Sequence, residues 1–185
     1  MEMPRSAWGD TMRLLSGMAV LVLLAGCSKP SSTAKSSETL DIVAMAREAA
    51  YPMPQFGAGT IQLSAGSYHD SAAGLDVRVV DAAPGDLNGD DRPDAAVVLA
   101  STTGGTGTFI DLYAVLDRQD HAVSRGPASL GDRVKVDSIR VFNRAVHLHL
   151  LTHAPDDPLC CPTQHVVETF VLHADTLMRR PAEQP

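Results

Sequence analysis

The feature that most constrains the fold of this chain is a series of short apolar segments separated by Gly, Asp, Asn and Pro. Apolar residues at 75, 77 and 79 alternate with Asp76 and Arg78, which is the pattern of a strand with one buried face. Residues 95–100 are continuously apolar, as expected for a central strand buried on both faces. Further strands are predicted at 110–116, where the alternation indicates one buried face, and at 134–141, 146–150 and 166–172. We therefore expect a mainly β fold, an antiparallel meander or small sandwich of about seven strands with one N-terminal helix.

The apolar pattern of residues 134–141 shifts by one position between Val136 and Ile139. Such a shift would turn the second half of the strand away from the core unless one residue is left unpaired. We therefore expect a β-bulge near Asp137 and Ser138.

One helix is predicted before the first strand. Ser37 can cap it, and the acidic Glu38 and Asp41 favour its N-terminus. The segment Tyr51–Pro54 ends it, because a residue that precedes proline is disfavoured in the α conformation. The apolar positions that keep a period near 3.6 are Leu40, Val43, Ala46 and Ala50.

The N-terminal segment has the composition of a secretory signal. Arg13 precedes an apolar run at 14–26, which is shorter than the roughly 20 residues that span a membrane. The run ends in Leu24-Ala25-Gly26-Cys27, which resembles the bacterial lipobox. This resemblance implies cleavage before Cys27 and modification of its thiol by diacylglycerol. An ordinary signal peptide that ends in Gly-Cys is the alternative.

The resulting organisation has three parts. Residues 1–26 form the lipoprotein signal peptide, residues 27–37 the lipidated Cys and a flexible Ser-rich tether, and residues 38–178 a single globular β domain. Two or three acyl chains such as palmitate on Cys27 would anchor the protein firmly to a membrane. Ser28 rather than Asp follows the cysteine, and this sorting pattern resembles that of outer-membrane lipoproteins. If the organism has two membranes, we therefore expect the protein to be anchored at the periplasmic face of the outer membrane.

Charge excludes one class of partner. The chain has 15 Lys and Arg against 22 Asp and Glu, a net charge of −7. Such an acidic balance argues against nucleic-acid binding, which depends on neutralising phosphates. We expect two other partners: the membrane, which the lipid anchor would bind, and an unidentified envelope protein.

The strongest chemical motif is the acidic segment 85–94, which lies between two predicted strands. Oxygen donors recur at every second position of this segment, a spacing that turns alternate oxygens inward around a hard cation such as Ca²⁺. The expected ligands are Asp86, Asn88, Asp90, the backbone carbonyl of Arg92, and Asp94. The ion would be structural, because one short loop supplies every ligand. A metal-free turn rich in Asp and Asn is the alternative.

This segment resembles the calcium loop of FG-GAP and VCBS repeats and is also similar to dockerin and EF-hand loops. It departs from the EF-hand pattern at the sixth position, where Asp91 replaces glycine, and at the twelfth, where Val97 replaces the bidentate Glu. Strands on both sides fit the FG-GAP type rather than a helix pair. A chain of 185 residues with one copy is too short for a propeller, so the resemblance implies a single calcium loop on another β fold.

A second candidate site combines two adjacent cysteines with nearby histidines. If Cys27 is lipidated, Cys160 and Cys161 are the two that remain. In an oxidising envelope they can pair with each other, pair between chains, bind a metal or stay reduced. His153 and His165 flank them, and thiolate with imidazole suits zinc or copper. Histidines that simply face solvent are the alternative.

The sequence contains no recognisable catalytic motif. It lacks the G-x-S-x-G and H-E-x-x-H patterns, and the glycine-rich segment 104–107 lacks the lysine of a phosphate loop. We expect that segment to form a hairpin turn. The sequence thus favours a role other than catalysis.

Five blocks of the sequence resemble an uncharacterised group of bacterial envelope lipoproteins. This resemblance covers most of residues 51–173 and implies an envelope lipoprotein, but it implies no activity. The blocks are YPMP at 51–54, GDLNGDDRPDAAVVL at 85–99, GTGTFIDLYAVL at 105–116, LGDRVKV at 130–136 and PDDPLCCPTQ at 155–164.

These observations predict a lipid-anchored envelope protein whose calcium-stabilised β domain acts as an interaction or structural module. The alternative is a periplasmic transition-metal or redox protein. That second function would use Cys160, Cys161, His153 and His165.

Overall fold

The computed structural model describes residues 41–119 and 121–181, all of which belong to one compact unit. In this part of the chain an α-helix, α1, covers 41–47, and a short 3₁₀ helix covers Pro54–Phe56. The strands here are β1 (Ala50–Pro52), β2 (Thr60–Gln62), β3 (Ser67–Asp70), β4 (Leu75–Gly85), β5 (Asp94–Thr102), β6 (Phe109–Asp117), β7 (Ala122–Asp132), β8 (Lys135–Phe142), β9 (Ala145–Thr152), β10 (Gln164–His173) and β11 (Thr176–Arg179). The mainly β prediction is confirmed, with more strands than expected.

Two antiparallel sheets pack face to face as a sandwich. The first sheet has the order β3-β4-β5-β6-β7 and the second β11-β10-β9-β8. Buried side chains from both sheets form one hydrophobic cluster, which includes Val98 and Leu112 from the first sheet and Leu148, Leu150 and Phe170 from the second. This shared core holds the sheets together, since burial of apolar surface is the main favourable term in folding.

The outer face of the first sheet is covered by α1 and the two-stranded sheet β1-β2. Ile42, Ala46 and Tyr51 pack there against one face of β5. The opposite face of β5 belongs to the core between the two large sheets. The continuously apolar segment at 95–100 is therefore buried on both sides, as predicted.

The helix differs from the prediction in its end and in its buried face. It ends at residue 47, and Ala50 is already the first residue of β1, where it pairs with Gln62. Ala50 is exposed and Val43 only half-buried, whereas Ile42 and Ala46 form the buried face of the helix. Ala49, which follows the helix, is also buried. Pairing of β1 with β2 overrides the helical pattern there. The predicted cap, the predicted helix residues before 41, and the predicted signal peptide and tether lie outside the described residues.

Two strand predictions have different outcomes. The alternation in β6 predicts one buried face, but both are buried. The side that carries Asp111 and Tyr113 is covered by α1, β1 and the short 3₁₀ helix. The bulge predicted near Asp137 and Ser138 is confirmed by a register shift between β8 and β9 that begins at Val136. The turn predicted at 104–107 connects β5 to β6, which pair antiparallel.

Within the described ranges, no helix has the length and apolar character needed to cross a bilayer.

Candidate functional site

The acidic segment forms the connection between the neighbouring strands β4 and β5. It begins after Gly85, the last residue of β4, and ends at Asp94, the first residue of β5. Gly85 lies so close to β8 that a Cβ added to it would be 2.5 Å from Cγ1 of Val141. The loop is therefore attached to the central strands of the first sheet at a point where the second sheet packs closely.

Side chains of the loop turn inward and accept hydrogen bonds from its backbone. Asp86 Oδ1 accepts from the N–H of Gly89 at 2.6 Å, and Asp86 Oδ2 accepts from the N–H of Asp91 at 3.2 Å. Asn88 Oδ1 accepts from the N–H of Asp90 at 2.8 Å, and Asp90 Oδ1 from that of Arg92 at 3.0 Å. These bonds hold the predicted ligand side chains on the inner side of the turn.

Asp91 occupies the position where EF-hand loops carry glycine. Its φ is +63°, which is the left-handed conformation that such a turn requires. Among residues other than glycine, Asp and Asn adopt this conformation most readily, so the substitution is compatible with the turn.

Asp94 ties the loop to the end of β6. Its side chain is fully buried. Asp94 Oδ2 accepts a hydrogen bond from the N–H of Leu87 at 3.0 Å, and Oδ1 accepts one from the N–H of Asp117 at 3.1 Å. Burial raises the pKa of Asp94, because the charged form is poorly solvated there.

A guanidinium from the loop forms a second connection to the same end of β6. Arg92 Nη2 lies 2.5 Å from Asp117 Oδ1, and Arg92 Nε donates to Asp117 Oδ2 at 3.3 Å. The hydrogen bond to Asp117 is the main cause that raises the pKa of Arg92. On another side, the side chain of Arg144 in the β8-β9 turn reaches Gly89, with Nη1 2.6 Å from the position of an added Cβ. Asp117 and Arg144 are both distant from the loop in sequence, which is why the sequence pattern did not indicate these contacts.

The donor chemistry of this loop fits a hard cation. A carboxylate oxygen has two lone pairs, so an oxygen that accepts one backbone N–H keeps a second lone pair for a metal. In the part of the chain that the structure describes, no three His, Cys, Asp or Glu side chains converge as a ready metal-binding group. Binding would therefore require the side chains of Asp86, Asn88 and Asp90 to turn toward one point, with the carbonyl of Arg92 and the carboxylate of Asp94 completing the set.

The two cysteines form a vicinal disulfide, Cys160–Cys161, in the loop between β9 and β10. Both residues are exposed. One carboxylate organises this loop, because Asp157 Oδ2 accepts hydrogen bonds from the N–H of Ala154 at 2.8 Å and of Thr163 at 2.7 Å. The bond from Ala154 is the main cause that lowers the pKa of Asp157.

The histidines near the disulfide have separate surroundings. His153 Nε2 lies 3.1 Å from the carbonyl oxygen of Leu159, and His165 Nδ1 lies 3.6 Å from Asp137 Oδ2. Neither histidine joins the cysteines in a metal-binding group within the described residues. The region thus contains a disulfide and two histidines with other neighbours.

One buried polar cluster was not predicted. Asp111 on β6 is 3% exposed, and its Oδ2 accepts a hydrogen bond from Gln55 Nε2 at 3.0 Å. Beside it, the hydroxyl of Tyr113 donates to the carbonyl oxygen of Pro52 at 2.9 Å. Burial raises the pKa of Asp111 and raises that of Tyr113 to about 12. The alternation of β6 indicated an exposed Asp111, and no local signal shows that a 3₁₀ helix covers it.

Comparison of the chain with protein-family models, with curated proteins and with solved structures gave no match. The function must therefore be inferred from the residues of this chain and their contacts.

Proposed function

We propose that this chain is a lipid-anchored cell-envelope protein whose β domain binds calcium at residues 86–94 and acts as an interaction or structural module. The supporting observation is the junction at Asp94, where a buried carboxylate connects the acidic loop to the ends of β5 and β6. An ion held by this loop would restrain strands that form the centre of the first sheet. Calcium would thereby stabilise the fold as a whole.

Charge supports the same proposal. Asp86, Asp90, Asp91 and Asp94 lie within one short loop, and Arg92, the basic residue of the loop itself, is already paired with Asp117. Like charges at close range repel one another, and a divalent cation removes that repulsion. Extracellular calcium modules bind in about the 10⁻⁴ to 10⁻³ M range, which suits a structural ion in an envelope compartment.

The lipid anchor rests on the sequence pattern around Cys27. In this proposal the acylated cysteine holds the protein at the membrane, and the Ser-rich tether at 28–37 separates the β domain from the bilayer. The module would then meet its partners at the membrane surface.

The test is a thermal melt of the full chain in phosphatidylcholine nanodiscs, with excess CaCl₂ or with EDTA. A ligand that binds only the folded state stabilises it by about 2.7 kcal/mol at a hundredfold excess over Kd, so we expect a clear rise in Tm with calcium. The double variant Asp86→Ala, Asp90→Ala should lose this rise. The control Asp156→Ala removes an exposed carboxylate from another loop and should keep it.

Equal Tm values with calcium and with EDTA for the parent chain would contradict the calcium proposal. A rise that persists in the Asp86→Ala, Asp90→Ala variant would place calcium elsewhere and contradict it equally.

The vicinal disulfide favours a second candidate function, a periplasmic redox or transition-metal protein. The exposed Cys160–Cys161 bond lies in a loop that Asp157 holds in place, and His153 and His165 are nearby in sequence. A protein of this kind should bind Cu²⁺ or Zn²⁺ after reduction, and a Cys160→Ser, Cys161→Ser variant should not. If reduction and both metals leave Tm unchanged while calcium raises it, the first function stands and the second fails.

A further inference from the structure

A groove lies along the first sheet away from the acidic loop. Its volume is about 420 Å³, within the ~300–1,000 Å³ range of small-molecule sites. Strand β4, the start of β6, the β7-β8 turn, the start of β8 and Cys160 line it. Arg78 in the groove and Asp86 in the acidic loop are separated by about 26 Å along the chain, at ~3.3 Å per residue of strand. The groove is therefore separate from the proposed calcium loop.

The floor of this groove is apolar. Ile110 and Val134 are largely buried and belong to the core between the sheets, whereas Val80 is 38% exposed. Val136 packs against the same core. An apolar group placed here would cover surface that water now contacts, which favours binding.

The rim of the groove is cationic. Arg78, Arg133 and Lys135 line it. The guanidinium of Arg133 donates to the carbonyl oxygen of Thr106 at 2.7 Å and pairs with Asp132. Within 41–119 and 121–181, the side chains of Arg78 and Lys135 make no hydrogen bond or ion pair.

The acids near these cations are already engaged. Asp132 pairs with Arg133, and Asp76, two residues before Arg78, binds His69 Nδ1 through Oδ1 at 2.5 Å. The groove therefore has an excess of positive charge on a protein whose net charge is −7. Local charge of this kind attracts anions even when the whole molecule is acidic.

We propose that this groove binds a small carboxylate with an apolar tail. The tail would lie on Val80, Ile110, Val134 and Val136, and the carboxylate would accept hydrogen bonds from Arg78 and Lys135. A cationic rim alone would bind any anion, and an apolar floor alone any small hydrocarbon. The combination selects a ligand that has both parts, because each part contributes free energy that the other does not supply.

The test is calorimetric titration of the full chain in phosphatidylcholine nanodiscs, with empty nanodiscs as the blank. The probes are hexanoate, its uncharged analogue hexanamide, and acetate, which has the charge without the tail. Hexanoate should bind at least tenfold more tightly than either of the others. Binding of hexanamide equal to that of hexanoate would overturn the proposal, and so would equal binding of acetate.

Two pairs of variants locate the site. The double variant Arg78→Gln, Lys135→Gln should weaken hexanoate binding by about tenfold or more, since charge-assisted hydrogen bonds are lost. The control Arg140→Gln, Arg180→Gln removes the same charge from exposed positions outside the groove and should leave binding unchanged. If both double variants weaken binding equally, only the net charge matters and the proposed site is wrong.

The second pair tests the floor. Val80→Asp places a carboxylate in the groove and should abolish binding, whereas Val167→Asp at a position 60% exposed outside it should not. Unaltered Tm in each variant confirms that the fold is intact. Hexanoate binding should be the same in CaCl₂ and in EDTA, so the result is independent of the calcium proposal.

Discussion

The carboxylate of Asp94 bridges two chain segments, because its Oδ1 accepts a hydrogen bond from the backbone N–H of Asp117 at 3.1 Å while Oδ2 accepts one from Leu87 at 3.0 Å. Asp94 itself is fully buried. A buried carboxylate is costly unless its oxygens are satisfied, and these two N–H groups satisfy them. The acidic loop is thus fixed to β6 as well as to β5.

Replacing Asp94 with Ala should destabilise the protein by about 2–3 kcal/mol even without calcium. The change leaves the N–H groups of Leu87 and Asp117 without acceptors, and an unsatisfied buried donor costs about 1–3 kcal/mol. Urea unfolding in EDTA measures the loss, with Asp156→Ala as a control on an exposed loop. An Asp94→Ala variant as stable as the parent would show that this connection contributes nothing.

The close approach of the two sheets at Gly85 predicts a specific steric effect. Gly85→Ala places a Cβ 2.5 Å from Cγ1 of Val141, so overpacking should destabilise the protein by about 1–3 kcal/mol. The added Val141→Ala change provides space, so the double variant should be less destabilised than the sum of the single variants.

Urea unfolding of the parent, the two single variants and the double variant gives the free energies of unfolding for this double-mutant cycle. Gly105→Ala is the matched control, because nothing lies within 4 Å of its added Cβ. Additive effects of Gly85→Ala and Val141→Ala would refute the steric explanation.

Sequence patterns identified the strands whose side chains form most of the hydrophobic core. The apolar run at 95–100 could be recognised because β5 is buried on both faces, and the phase shift near Ser138 revealed a bulge. Strand β7 escaped prediction, because it contains Gly126 and Pro127 and its place is set by pairing with β6 rather than by its own residues. The short strands β1, β2, β3 and β11 likewise depend on their partners.

The sequence predicted the oxygen donors of the candidate site but not the contacts that hold the loop in place. The spacing of Asp86, Asn88 and Asp90 is local and appears in the sequence. The contacts of Asp117 and Arg144 with the loop depend on how β6 and the β8-β9 turn pack, which no local pattern encodes. The groove could not be predicted for the same reason, since segments that are distant in sequence line it.

The proposed lipid anchor leads to a prediction about one residue, Cys27. The full chain expressed in a bacterial host should carry acyl chains on Cys27, with Cys27 as the first residue of the mature protein. Mass spectrometry of the N-terminal peptide should show the mass of a peptide that begins with acylated Cys27. The Cys27→Ser change should abolish both acylation and cleavage at this position. The control Cys160→Ser, Cys161→Ser should remain acylated. An unmodified N-terminus that begins at another residue would support an ordinary signal peptide.

Asp111 makes the stability depend on pH. Burial raises its pKa above the ordinary 3.8, so the folded protein holds this proton more tightly than the unfolded chain does. As the pH rises above 3.8 toward the raised pKa, the unfolded chain loses the proton first, and the contribution of Asp111 to the free energy of unfolding falls. Above the raised pKa this destabilising contribution is constant.

Asp111→Asn removes the ionisation but keeps an oxygen that can accept from Gln55 Nε2. The stability of this variant relative to the parent should therefore rise as the pH increases above the ordinary pKa of 3.8 and then level off above the raised pKa. Urea unfolding at several pH values measures this difference, and subtraction cancels the contributions of other buried acids such as Asp94. A difference that does not change with pH would mean that Asp111 has the same proton affinity in the folded and unfolded chains, and that the polar cluster with Gln55 fully compensates its burial.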